Sequence, residues 1–311
     1  MVKDRSKSGY KVRKNRRRTA YKATLLVFLV LLISIMAVNR LNLMQKDVPV
    51  KKDFLQLWAS GNFEEVYLHS RDQLSQKPLD YFLLTVHGFS AYELAIAQIT
   101  NYNTLVYIDN CIWSLRKALL FKEGQSDGRL LYVLGKAYYY KGTGYSDLAI
   151  KYLEMAIENG YDEVDIPQYL GLAYISAKDY RSSVVAFTRA LNSSFASDTL
   201  LLSIAGSYIA LGEDDAARAY LMRCLEISMD SQMIFNARLY LGEILFRKGD
   251  LIEAEAEYLK VAEESGGNAE AHYRLGELYS LNGETVRARA EWRKAVQIDP
   301  AHIPARSRLN I

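Results

Sequence analysis

Four histidines, two cysteines and one glycine-rich loop are the residues of this chain best equipped for chemistry, and their spacing argues against it. His69, His87, His272 and His302 are scattered. None belongs to a His-Glu-x-x-His run or a Cys-His cluster, the spacings that set metal ligands on one face. Gly142-Thr143-Gly144-Tyr145-Ser146-Asp147 lacks the third glycine and the preceding strand of a dinucleotide-binding loop, so it reads as a turn. There is no Gly-x-Ser-x-Gly elbow to expose a nucleophile. Cys111 and Cys224 fall in small, helix-packing slots about three repeats apart; with stacked helices spaced at ~9 Å they cannot bridge, and two buried free thiols are expected. Glu253, Glu255, Glu257, Glu263 and Glu264 read as the solvated face of an outer helix, with a partner patch as the alternative. No catalytic residue, cofactor, metal or small-molecule substrate is expected. The remaining chemistry is recognition.

The elements that would carry recognition emerge once the charge is divided along the chain. The 311 residues hold 39 Lys+Arg against 36 Asp+Glu, a formal +3, with 50% hydrophobic residues, 18 Gly and 5 Pro, a composition far from disordered or collagen-like chains. Residues 1–22 contain ten basic side chains opposed by Asp4 alone, a net +9; the rest holds 29 basic and 35 acidic, a net −6. Directly after the basic run, Ala23 to Val38 carry no charge. As a helix this segment is about 24 Å long, and Tyr21, Leu41, Leu43 and Met44 extend it toward the ~30 Å of a hydrocarbon core. A cleaved leader fits less well, because its apolar region would be long and the exit lacks an Ala-x-Ala pair. The expectation is a basic tail at 1–22, a signal anchor at 23–43 crossing an inner (plasma) membrane once, a cytoplasmic N-terminus and a periplasmic or other extracytoplasmic C-terminal region. The adjacent span accounts for Lys14-Asn15-Arg16-Arg17-Arg18, so no nucleic acid is expected.

Downstream the chain repeats itself. Leu134-Gly135, Leu170-Gly171, Leu241-Gly242 and Leu275-Gly276 recur, Tyr138, Tyr174 and Tyr279 follow their glycines by three, and Ala205 holds the glycine slot of the block between. Each unit then shows a turn and a second apolar stripe: Ala149…Leu153…Ala156, Phe187…Ala190, Ala217…Leu221…Cys224, Ala254…Tyr258 and Ala288…Trp292…Ala295. A small residue, a large one four on and a small one three further occupy one helical face, so paired helices can approach closely. Pro300 ends the last stripe.

These residues resemble tetratricopeptide repeats (TPR), most completely over Ala269 to His302. Five units are read at 128–163, 164–197, 198–231, 235–268 and 269–303, with Lys141-Gly142-Thr143 enlarging the first turn and 232–234 inserted between units. Residues 47–122 are read as divergent TPR-like helix pairs: Phe54, Leu57, Gly61-Asn62-Phe63, Val66 and Pro78 fit one at 47–80, and Leu115 and Ala118 hold the large and small slots of another. Residues 304–311 form a short tail, too short for the usual capping helix. The resemblance implies an all-α, right-handed TPR α-solenoid, which the single transmembrane helix expected from the charge pattern would precede.

It also implies a concave groove on the first helices, at the second, fifth, ninth and twelfth residues of each unit. Those positions are Arg129, Tyr132, Lys136 and Tyr139; Asp165, Gln168, Leu172 and Ile175; Thr199, Leu202, Gly206 and Ile209; Asn236, Leu239, Glu243 and Phe246; Glu270, Tyr273, Glu277 and Ser280. They grade from basic-aromatic through apolar to acidic, which suits an amphipathic protein or peptide partner; a further helix or a second copy of the chain filling the apolar centre is the alternative. The Lys/Asn/Arg clamp of chaperone-binding relatives is missing at the fifth and ninth positions. The functional expectation is a membrane-anchored, non-enzymatic scaffold that assembles partner proteins, with a periplasmic holdase chaperone or translocon accessory factor as the alternative; self-association stays open.

Overall fold

The computed structural model describes residues 50–97, 103–193, 196–264 and 267–311. The expected basic tail and signal anchor lie outside them. No helix among the described residues is long and apolar enough to cross a membrane.

The chain forms two compact units that divide between Pro78 and Leu79. The first contains helices α1 (Lys51–Ala59) and α2 (Phe63–Leu74), joined at Gly61 and buried through Phe54, Val66, Tyr67 and Leu74. Asp53 turns its carboxylate back onto the Val50 amide (2.8 Å), and Asn62 caps α2.

The second unit is all helical: α3 (Tyr81–Ile96), α4 (Asn103–Ala118), a short α5 (Lys122–Gln125), α6 (Gly128–Lys141), α7 (Ser146–Glu158), α8 (Ile166–Ser176), α9 (Tyr180–Ser193), α10 (Asp198–Leu211), α11 (Asp214–Ile227), α12 (Ser231–Lys248), α13 (Leu251–Glu264), α14 (Ala269–Leu281), α15 (Thr285–Ile298) and α16 (Ile303–Leu309). From α3 to α15, leaving α5 aside, these are stacked helical pairs. Each first helix packs on its own second helix, and that second helix on the first helix of the next pair.

The repeated glycines set the distance within a pair. A Cβ built on Gly171 would lie 2.4 Å from the Phe187 ring, and one on Gly276 would lie 2.4 Å from the indole of Trp292. Gly135 faces Leu153 and Gly242 faces Tyr258 in the same way, and Gly88 faces Leu115 in the pair α3–α4. The large side chain thus fits only because the opposing position has none. In α10–α11, where Ala205 holds the slot, the facing residue is the smaller Leu221, and both are fully buried. The small slots of the second stripe, Ala118, Ala156, Ala190, Cys224 and Ala295, are buried as well. Cys111 and Cys224 are free, buried thiols, and desolvation pushes both thiol pKa values up.

Starts and stops follow local chemistry. Asp80, Asp127, Ser197, Asp230 and Asn268 each accept a backbone N–H at the head of a first helix. The 232–234 insertion is absorbed as an extra turn of α12, which runs 18 residues against 14 in α10 and 13 in α14. The first helices α10, α12 and α14 are followed by a left-handed glycine whose successor donates back into the last turn, as Glu213 does to Tyr208 (2.9 Å) after Gly212. After α8 the same bond, Asp179 to Tyr174 (2.9 Å), is made with Lys178 at φ 62° in the glycine place. Lys178→Gly is therefore expected to raise stability by roughly 0.5–1 kcal/mol, read as a higher urea midpoint; a lower one would count against left-handed strain at this turn.

The C-terminal tail, expected to be too short for the usual full capping helix, carries the seven-residue α16, whose Ala305 is fully buried and whose Leu309 packs on the larger core. His302 replaces an ordinary capping side chain: its Nδ1 accepts the Ala305 N–H (3.2 Å) and its Nε2 pairs with Glu270 (3.1 Å). One short helix covers the edge because the side chain that caps it also reaches back to α14.

A groove whose charges are cancelled in place

At the α6–α8 end, Tyr132, Lys136 and Tyr140 stand at i, i+4 and i+8 on one face of α6. Lys136 Nζ donates to Asp165 Oδ2 (2.8 Å) and to the Tyr132 hydroxyl (2.9 Å), and Tyr132 donates to the same carboxylate (2.9 Å). The ammonium also lies 4.3 Å from the Tyr169 ring centre, 4.8 Å from Tyr132 and 5.7 Å from Tyr92. Tyr140 and Tyr169 share a hydroxyl hydrogen bond (2.9 Å), and Tyr139 packs edge-on against both rings. Burial raises the pKa of Tyr92, Tyr132, Tyr140 and Tyr169, helped at Tyr132 by the Asp165 hydrogen bond, so the hydroxyls stay neutral.

Asp165 stands at the N-cap of α8 and makes no capping bond there; Pro167 spares the helix a first-turn donor, and the carboxylate is turned to Lys136 instead. Lys136 is 8% exposed. The expectation of a basic rim at Lys136 is thus corrected: the charge is buried and spent within the chain. Arg129 is exposed, with its guanidinium 5.0 Å from the Phe89 ring, and Gln168 is exposed.

Most of the charge at the acidic end is engaged in the same manner. Glu277 takes Arg308 of α16 (2.8 Å), and Glu270 takes Arg274 (2.6 Å), which also lies 3.8 Å from Glu243. Tyr273 packs on His302, with ring centres 5.3 Å apart. Burial works against the Arg274 charge, but Glu270 and Glu243 outweigh it and hold its pKa above the usual arginine value. One rule covers these pairs. The charged ninth-position residues, Lys136, Glu243 and Glu277, each reach the next first helix or the cap and find an opposite charge there. The basic-to-acidic grading read along the sequence is cancelled because stacking sets successive helices side by side.

Between the two ends lie Leu172 and Ile175, packed on Phe187, Ala190, Leu200 and Ile204, and Leu202, Ile209, Leu239 and Phe246, packed on the larger core. All six are half-buried, held from below and open above. Between α12 and α14 the surface deepens to a cleft of about 360 Å³ lined by Gln232, Asn236, Leu239, Tyr240, Glu243, Asn268, Glu270 and Arg274. Gln232, Tyr240, Asn268 and Arg274 stand outside the groove positions implied by the repeat pattern. Gln232 enters through the insertion, and Asn268 as a helix cap. At the other end, the i, i+4, i+8 stripe on α6 was the one available signal of the tyrosine cluster. Among the described residues no group of three or more His, Cys, Asp and Glu side chains is placed to hold a metal ion.

Two stretches match family models described as tetratricopeptide repeat, residues 199–230 and 269–302. No curated protein matches the sequence. Among solved structures, the C-terminal part of a TPR repeat-containing protein from Cytophaga hutchinsonii is 16% identical, with 84% of this chain and 99% of that one covered and a TM-score of 0.59. PilW, described as a widely conserved type IV pilus biogenesis factor, is 16% identical over 71% of this chain and 98% of its own, with a TM-score of 0.56. PilF of Pseudomonas aeruginosa is 13% identical over 72% and 96%, with a TM-score of 0.53. At these identities the likeness is one of fold. Residues 199–230 and 269–302 are thus tetratricopeptide repeats, set within an all-α array of stacked helical pairs of the kind that generally serves protein–protein interaction without catalysis.

Proposed function

We propose that this chain is a membrane-anchored scaffold that assembles partner proteins on the extracytoplasmic side by binding them along the groove of its first helices. The observation that carries the reading is the half-open apolar strip, Leu172, Ile175, Leu202, Ile209, Leu239 and Phe246, flanked by charges that are mostly engaged within the chain. Such a strip favours the apolar face of an amphipathic helix or an extended segment, since apolar side chains can lie on it without stripping water from a free charge at most positions. The anchor at 23–43 rests on the uncharged run after a +9 tail. The fold likeness to PilW, described as a pilus biogenesis factor, agrees with assembly at a cell envelope.

Crosslinking the full-length protein in cells, followed by pull-down and mass spectrometry, is expected to return a defined partner at fixed stoichiometry. Neutral polar substitution at Leu202, Ile209 and Phe246 is expected to abolish that capture; unchanged capture would place binding elsewhere. The same uncharged strip suits a holdase, which would instead suppress aggregation of unrelated unfolded proteins without one stoichiometric partner. A phosphatase that works only outside the cytoplasm, fused after Ile311, is expected to be active; activity confined to a cytoplasmic reporter would refute the orientation.

A further inference from the structure

We propose that the cleft between α12 and α14 selects partner segments by a single lysine or arginine side chain. This rests on the groove reading and adds the chemistry of the occupant. The extra turn of α12 lengthens one wall, bringing Gln232 in line with Asn236, Leu239 and Glu243. Gln232 donates to Asn236 Oδ1 (3.1 Å), so these amides are mutually oriented. Leu239 supplies an apolar wall half-buried against the core.

The charge in the cleft does not balance. Glu243 and Glu270 share one cation, Arg274, leaving a formal −1. The sharing is unequal: Arg274 Nε is 2.6 Å from Glu270, while its nearest approach to Glu243 is 3.8 Å, outside hydrogen-bond reach. Glu270 is also held by His302 (3.1 Å). Glu243, with its side chain 30% exposed, keeps acceptor capacity facing the cleft. Elsewhere in the groove the ninth-position charges are fully engaged, at 2.8 Å for both Lys136 and Glu277. A cation arriving with a partner segment completes the Glu243 carboxylate, while its neighbouring apolar side chain lies on Leu239. An acidic segment would meet two carboxylates and only one guanidinium, already engaged.

The test uses the full-length chain in mild detergent. The probes are fluorescein-labelled, acetylated and amidated peptides of alternating leucine and serine with one central lysine, arginine, norleucine or glutamate. Lysine and arginine peptides are expected to bind at least about tenfold more tightly than the norleucine peptide, and the glutamate peptide most weakly. Glu243→Gln is expected to bring lysine and norleucine peptides to equal affinity. Glu226→Gln, exposed on the second helix α11 and away from the groove positions, is expected to leave the preference intact. Asn236→Trp, which fills the cleft, is expected to remove binding of every peptide. Equal affinity for lysine and norleucine in the unaltered protein would overturn the selectivity while sparing the groove reading, provided Asn236→Trp still blocks. Binding that survives Asn236→Trp, or no peptide binding at all, would overturn both.

Discussion

Phe187→Ala is expected to lower the free energy of unfolding by about 3–5 kcal/mol, among the largest effects of any single substitution in this chain. Phe187 is 1% exposed, and its ring lies where a Cβ on Gly171 would be, so truncation leaves a void that the paired helices cannot close without sliding. Gly171→Ala attacks the contact from the other side, forcing a methyl to within 2.4 Å of the ring. That overpacking is expected to cost about 1–3 kcal/mol. The protein contains its own control, because Ala205 opposite Leu221 is the same pair with the volume moved across the interface. Gly171→Ala combined with Phe187→Leu is therefore expected to be more stable than the sum of the two single effects, by about 1 kcal/mol or more. Urea denaturation followed by far-ultraviolet circular dichroism measures the cycle, and strict additivity would show that helix approach is not set by this contact.

The second large effect concerns Asp165. Asp165→Ala leaves Lys136, whose side chain is only 10% exposed, without its hydrogen-bonded carboxylate, and only the tyrosine faces, one hydroxyl and the nearby Glu93 charge remain. Removing one member of a buried pair costs about 3–5 kcal/mol; because the Asp165 side chain is 39% exposed, the expectation here is about 2–4 kcal/mol. Lys136→Met is expected to cost about 1 kcal/mol or less, since it leaves an aspartate that water can reach and adds apolar bulk among the rings. The prediction is the inequality. Equal losses in urea denaturation would mean that the pair is solvated and that Lys136 stays available to a partner.

How much of the molecule is legible along the chain depends on range. The repeat units, the Gly171-type slots and the free thiols at Cys111 and Cys224 are set by residues within one helical pair, and helical periodicity reports them directly. Lys178 shows the limit of that reading: the turn after α8 is built like those after α10, α12 and α14 although the residue type does not announce it. The cap shows a second limit. Ile303 to Leu309 is too short to be stable alone, and tertiary contacts hold it: His302 bonded to both Ala305 and Glu270, the burial of Ala305, and Arg308 on Glu277.

The groove divides along the same line. Position within a unit makes Leu172, Leu202, Leu239 and Phe246 candidates for it, and the structure leaves each of them half-buried. Whether a charge there is free depends on what stands opposite in the next unit, in three pairs on the first helices and the cap: Lys136 with Asp165, Glu243 with Arg274, and Glu277 with Arg308. The chain by itself determined the helices, their pairing and the apolar face, because each arises from side chains a few residues apart. Only the tertiary structure decided that the groove's charges are largely spent within the molecule and that one carboxylate, Glu243, is left incompletely paired, because Coulomb attraction acts through the distances that helix stacking creates.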